Sequence, residues 1–202
     1  MIQILSTKTL LDNQREALTN ANLNVVEVDF IETKSQAFEL NGINDNLIFT
    51  SQNAVQSFLL DPKSEDLKTK NVFCVGLKTK ILLSENGFNV IAYTGYAEDL
   101  AEIITLIYAN ESYTFFSGNL RRETLPQALK EAKIKFNEIQ VYETKLTPQK
   151  IKTPNAWLIT RKNGVPLFAV RPAAGDKTFR IITAEQLYKE KFQWFEPLAD
   201  SY

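Results

Sequence analysis

Short apolar runs alternate along this chain with segments whose apolar residues recur at helical spacing, and the alternation is regular up to about residue 145. The runs predict strands over 2–5, 25–30, 47–49, 72–75, 90–93, 113–116 and 136–141. Between them the spacing predicts helices over 10–21, 54–60, 78–86, 97–108 and 120–132. Ser6-Thr7 reads as the cap of the first helix, and Gly87 as the stop of the third. Residues 31–45 are polar and weakly periodic and read as a linker, while Asp61-Pro62-Lys63 and the charged run to Lys70 read as solvated loop. The helix at 97–108 carries its apolar stripe on Leu100, Ile103, Ile104 and Ile107. After Thr144 the pattern breaks: Pro148, Pro154, Pro166 and Pro172 interrupt it, leaving a strand over 167–170, a short helix over 183–191 and an aromatic tail, FQWFEPLADSY.

Strands and helices that alternate this closely predict an α/β fold of parallel sheets covered by helices on both faces. One unit recurs. LIFTSQNAV at 47–55 and WLITRKNGV at 157–165 align with Thr50 on Thr160, Asn53 on Asn163 and Val55 on Val165. Each reads as a buried strand feeding a helix, and the imperfect repeat predicts two similar domains. In parallel sheets ligands bind outside the carboxyl ends of the strands. Thr50-Ser51, Gly76, Ser117-Gly118-Asn119 and Thr160 all fall at predicted strand ends. Turns of this kind aim free backbone N–H groups, backed by the helix dipole, at one point, which suits an anion.

Composition narrows the chemistry. The 202 residues accommodate one large or two small α/β domains. A net charge of −1 offers no global field for nucleic acid or an anionic membrane, so local geometry has to attract an anionic ligand. The single cysteine, Cys74, allows neither an internal disulfide nor a cysteine metal cluster and reads as a small core residue. There is no histidine, which removes Ser-His-Asp and Cys-His catalysis, histidine metal sites and the commonest general base. The opening MIQILSTKTL is not a leader pattern and no stretch reaches membrane-spanning length, so a cytoplasmic, monomeric protein is expected. GxGxxG and P-loop sequences are absent, which argues against a nucleotide-binding enzyme, and the first strand lacks the acidic pair of a receiver domain.

Thr50, Ser51 and Asn53 read either as ligand contacts or as helix caps, and the two roles are compatible. Gly76 and Thr79 form a GxxT turn that lets backbone approach a bound group. Ser117, Gly118 and Asn119 form a small-Gly-small turn with the same property. Arg121 and Arg122, placed in a first helical turn, either pair with acids such as Glu123 or reach an anionic ligand. Tyr142 reads from its strand as a packing tyrosine.

The opening ILSTKTL, IFTSQNAVQSF, FCVGLKT with ENGFNV, YAEDLAEII, and FFSGNLRRETLPQALKEAKIKFNEIQVYET together resemble the uroporphyrinogen-III synthase family over residues 1–145. The resemblance implies two flavodoxin-like domains joined by a two-stranded hinge, the first discontinuous (1–32 and 147–202) and the second continuous (36–143). It implies cyclisation of hydroxymethylbilane, a linear tetrapyrrole bearing four acetates and four propionates, with inversion of the last ring through a proposed spiro intermediate. No metal or organic cofactor is implied. Tyr142 matches the tyrosine of the family's VYxT segment, where it would protonate or hydrogen-bond the departing hydroxyl, and the Gly76–Thr79 turn matches one that faces the family's cleft. A substrate this rich in carboxylates suits clustered strand-end N–H donors, each contributing roughly 0.3–1 kcal/mol. Cyclisation needs a proton donor and a fixed substrate shape rather than a nucleophile.

The C-terminal quarter departs from the family. Where Ser-Pro-Ser-Gly and Gly-x-Thr-Thr turns are usual, the chain has Thr160-Arg161-Lys162-Asn163-Gly164 and Val170-Arg171-Pro172-Ala173-Ala174, and it is shorter than is usual for the family. Arg161, Lys162 and Arg171 offer replacement charge for carboxylates. The altered turns keep open a second reading, a two-domain protein that binds a polyanionic small molecule without turning it over.

Overall fold

A computed structural model describes residues 2–6, 9–20, 23–147, 156–162, 165–170 and 180–183. The chain divides into two compact units, 1–32 with 146–202, and 33–145.

In the first unit the strands are β1 (Ile2–Ser6), β2 (Leu23–Glu27), β9 (Ala156–Lys162), β10 (Val165–Val170) and β11 (Arg180–Thr183), with helix α1 at Asp12–Asn20. Their order is β11-β10-β9-β1-β2. β1 lies parallel to β2 and β9, whereas β9, β10 and β11 run antiparallel in succession. The expectation of all-parallel sheets is therefore corrected to a mixed sheet. So is the internal repeat: β9 turns back into β10 as a hairpin rather than feeding a helix. The Asn163-Gly164 dipeptide between them is the strongest short hairpin signal a sequence carries, and it outweighs the likeness to 47–55. β11 ends at Thr183, where a helix was expected to begin. The rest of that helix, the Arg171–Ala174 turn and the aromatic tail lie outside the described residues.

The second unit holds β3 (Ile31–Ser35), β4 (Asn46–Phe49), β5 (Asn71–Val75), β6 (Asn89–Thr94), β7 (Ser112–Gly118) and β8 (Lys135–Leu146). The helices are α2 (Gln52–Phe58), α3 (Leu77–Glu85), α4 (Ala97–Ile107) and α5 (Thr124–Glu131), with a short 3-10 turn at Pro62–Leu67 capped by Asp61. The sheet order is β3-β8-β7-β4-β5-β6, and β4 to β8 are mutually parallel. β4 is buried at every position, as a strand covered on both faces must be. Its alternation splits the core. Leu47 and Phe49 join Phe58, Phe88, Phe116 and Val141 on one face. Ile48 joins Phe73, Leu100, Ile104, Phe115, Leu125 and Leu129 on the other. Ile107, expected in the apolar stripe of α4, closes the helix 69 % exposed.

Residues 31–35, expected as linker, form strand β3. Every residue in it is exposed, so no apolar alternation advertises it, and the strand comes from backbone pairing with side-chain bonds such as that between the Ser35 and Ser57 hydroxyls. Thr147 N–H bonds Phe30 O and Gln36 N–H bonds Val141 O, so β3 and β8 run in opposite directions. Beyond β3, Phe38, Leu40 and Ile43 pack on the first core cluster, which also removes residues 38–43 from any linker. No described helix is long and apolar enough to cross a membrane.

Candidate active site

Because β4 to β8 are parallel, Thr50-Ser51, Gly76, Gly118 and Tyr142 lie toward the same carboxyl edge of the second unit's sheet. A bulge makes the arrangement specific. β8 pairs with β7 so that Ser117 faces Gln140 but Gly118 faces Tyr142, with Val141 the extra residue. In an unbroken strand Val141 and Tyr142 would point to opposite faces. Here Val141 is fully buried in the first core cluster and Tyr142 packs against that same cluster.

Gly118 receives the Tyr142 ring. A Cβ built on Gly118 would stand 2.3 Å from Tyr142 Cζ and 2.4 Å from Cε2, so only glycine lets the ring lie on the strand. Gly118→Ala is expected to displace the ring and to cost about 1–3 kcal/mol through overpacking. Tyr142→Ala in the same chain should restore most of that stability in urea unfolding. A Gly118→Ala protein as stable as the parent would show that the ring does not need the glycine.

The seated ring brings Tyr142 Oη within 3.2 Å of Ser51 Oγ. Ser51 is the N-cap of α2 and its Oγ also accepts the Ala54 N–H at 3.1 Å. Thr50 is half-buried beside it and Asn53 is exposed on the first turn of α2. Gly76 has φ +90°, a left-handed value that favours glycine, and its N–H is held by Thr94 O. Thr79, in the first turn of α3, is 4 % exposed, and no hydrogen-bond partner for its hydroxyl is present among the described residues. Its Oγ1 lies 3.6 Å from a Cβ built on Gly76, so a buried hydroxyl without a partner sits against this turn.

Three side chains read as ligand contacts are occupied by the protein. Ser117 Oγ donates to Glu138 Oε1 in a short bond. Arg121 straddles Glu138, Nε to Oε1 at 2.6 Å and Nη2 to Oε2 at 2.9 Å, and its Nη1 bonds Glu123. Asn119 donates to Thr144 O and accepts the Thr144 N–H, acting as a strand extension. These bonds draw residues 119–121 onto β8, and α5 begins only at Thr124 rather than at 120. Arg121 and Arg122 thus precede the helix, whose N-cap is Glu123, and the Arg121 charge is met by Glu138 and Glu123. Sequence reading missed Glu138, the acid that organises this clasp; it is one polar residue among several on β8, and only pairing with β7 brings it beside Ser117.

Burial on its own would raise the Glu138 carboxyl, but Arg121 and Ser117 outweigh it and hold the group below its ordinary 4.5. A carboxyl depressed in the folded state stabilises the fold above its unfolded value and loses that contribution as pH falls through the folded one. Glu138→Gln should therefore lower the urea midpoint at pH 7, and the gap from the parent should close as pH drops below about 4.5. A gap that persisted unchanged at pH 3 would contradict this. Cys74 is pushed up to about 11 by burial, with Lys80 drawing the other way, as befits an inert core thiol.

In the first unit, the backbone N–H groups of Thr9 and Leu10, shortly after β1, are taken up by the chain's own carboxylates. Asp29 accepts from Thr9 N–H at 2.7 Å and from its hydroxyl at 2.9 Å, and Glu27 accepts the Leu10 N–H at 2.7 Å. Arg15 in turn grips Glu27 at 2.6 Å, and its hydrogen bond is the main cause that lowers the Glu27 carboxyl.

A family model described as Uroporphyrinogen-III synthase HemD matches residues 12–175. The chain belongs to the uroporphyrinogen-III synthase family. The family is lyase-type and serves tetrapyrrole and haem biosynthesis on a small tetrapyrrole substrate. The fold is similar to uroporphyrinogen-III synthetase from Helicobacter pylori 26695, at TM-score 0.56 and 24% identity over 75% of this chain and 65% of that one. It is also similar to a mutant uroporphyrinogen III synthase from Thermus thermophilus, at TM-score 0.56 and 13% identity over 73% and 64%. The chain thus spans slightly less than two thirds of the length of each of these relatives. At these identities the likeness is one of fold: an α/β architecture with a mixed, largely parallel sheet.

Proposed function

We propose that this chain is a cofactor-independent uroporphyrinogen-III synthase that closes hydroxymethylbilane with inversion of the last ring. The observation that carries the reading is the phenol of Tyr142, fixed by Gly118 beneath its ring and by Ser51 at its oxygen on the carboxyl edge of a parallel sheet. The phenol gives its proton to the departing hydroxyl, and the C–O bond breaks with its electron pair leaving as water. The pyrrole nitrogen's electrons satisfy the carbon left behind. The α-carbon of the last pyrrole that already bears a bridge attacks it, giving the spiro intermediate. The bond from that ring carbon to its old bridge then breaks, and the neighbouring pyrrole nitrogen's electrons satisfy the freed bridge carbon. The last ring's other α-carbon attacks the freed bridge, and the proton lost as that ring regains aromaticity restores the phenol. The unpartnered hydroxyl of Thr79 and the turn at Thr50, Ser51 and Asn53 supply donors for substrate carboxylates, and Gly76 lets the backbone beside Thr79 come close to them. In this reading 1–32 with 147–202 and 36–143 are the two flavodoxin-like domains, joined where β3 and β8 carry the chain across. The protein acts as a cytoplasmic monomer on a linear tetrapyrrole, without metal, nucleic acid or membrane.

A second reading, a binding protein without turnover, is favoured by the internal use of Ser117, Asn119 and Arg121 and of the turn after β1, which leaves fewer donors for a ligand. A coupled assay separates the two. Hydroxymethylbilane is generated in place, the products are oxidised, and isomers I and III are resolved by chromatography. Isomer III above the uncatalysed background supports the synthase; isomer I alone from folded protein that still binds uroporphyrin supports the binding protein.

A further inference from the structure

Resting on the synthase reading, we infer that Ser51 is the positioning residue that sets which way Tyr142 gives its proton. Ser51 Oγ accepts the Ala54 N–H at 3.1 Å and donates to Tyr142 Oη at 3.2 Å. The phenol oxygen is thereby an acceptor on the Ser51 side. No acceptor for the phenol's own proton is present among the described residues, so that proton is left for a ligand. The ring has no freedom to undo this, because Gly118 lies under it at a distance no larger residue tolerates, and Val141 is anchored in the core beside it. One serine therefore caps α2 and orients a proton donor 91 positions away. The capping role explains its bond to Ala54 but not the one to Tyr142, and substitution separates the two.

Threonine keeps both the cap and the donor; glycine keeps most of the cap but loses the donor; alanine loses both. Ser51→Thr should retain kcat within about twofold. Ser51→Gly should lower kcat roughly 3- to 10-fold, the size of one neutral hydrogen bond, with KM and thermal stability little changed. Ser51→Ala should show the same fall in kcat together with a lower melting temperature. On a Tyr142→Phe background Ser51→Gly should have no further effect on kcat, since the group it orients is gone. If Ser51 only caps the helix, Ser51→Gly will be as active as the parent and kcat will track stability through the series, which would overturn the inference. Isotope-edited infrared spectra of labelled tyrosine, assigned by the Tyr142→Phe difference, give a readout that needs no turnover. The Tyr142 C–O band should shift between parent and Ser51→Gly. An unshifted band overturns the inference, while a shifted band in a protein that makes only isomer I overturns the synthase reading and leaves the hydrogen bond standing.

Discussion

Tyr142→Phe is expected to lower kcat for isomer III by about 10²–10⁴-fold, the range that a positioned proton donor supplies. The substitution is a clean one because it leaves the ring. Phenylalanine lies on Gly118 as tyrosine does, Val141 keeps its place in the core, and the bulge in β8 is undisturbed. What is lost is the phenol proton and one hydrogen bond from Ser51, and the latter costs about 1 kcal/mol of stability at most. KM should change little on the synthase reading, in which other groups hold the substrate carboxylates and the phenol meets only the departing hydroxyl. Steady-state kinetics with isomers resolved by chromatography makes the check. A Tyr142→Phe protein within about threefold of the parent would remove the tyrosine from the chemistry and leave positioning of the substrate as the source of catalysis.

Phe58→Ala should cost about 3–5 kcal/mol of folding stability, measured by urea unfolding. Phe58 is fully buried at the end of α2, with ring centroids 4.7 Å from Phe116, 5.2 Å from Phe49 and 5.7 Å from Phe88. Removing its ring strips contacts from β4, β7 and the turn before β6 at once, and the stacked pair of Phe49 and Phe116 loses the ring that covers both. The effect also reaches the site. α2 is only seven residues long, too short to persist without its packing, and Ser51 is its N-cap. Activity should therefore fall further than the unfolded fraction accounts for, through a loosened bond between Ser51 and Tyr142. A loss below about 1.5 kcal/mol would mean that the neighbouring rings refill the space.

The second unit was largely legible in advance. β4 and β5 carry continuous apolar runs, and β7 an apolar run broken only by Thr114, because both of their faces are covered, and such runs mark themselves without help from the rest of the chain. The α/β alternation and the helices α2 to α4 followed from spacing alone. β3 was not legible, because an edge strand exposed at every position has no face to bury and so no periodicity. The start of α5 was misplaced for a different reason: the bonds of Asn119 to Thr144 and of Arg121 to Glu138 hold the chain off the helix, and both partners lie far along β8. The likeness of 157–165 to 47–55 misled because the two share apolar residues in the strand but differ in the turn after it.

For the site the division is sharper. Residue types near strand ends picked out Ser51, Gly76, Thr79 and Gly118, since small and hydroxyl-bearing residues at such turns follow from local backbone demands that a sequence carries openly, whereas Tyr142 read as a packing residue and only the family resemblance singled it out. Which of those groups turn toward a ligand and which toward each other depends on pairing between distant strands. A single extra residue in β8 sets Tyr142 opposite Gly118, while the regular pairing ahead of it, with Glu138 opposite Phe115, brings Glu138 to Ser117 and Arg121. Capping, turns and burial periodicity are short-range effects and are written into a few neighbouring letters. The register of a bulged strand is settled only when the core closes around it, so the partner of each polar side chain belongs to the tertiary structure.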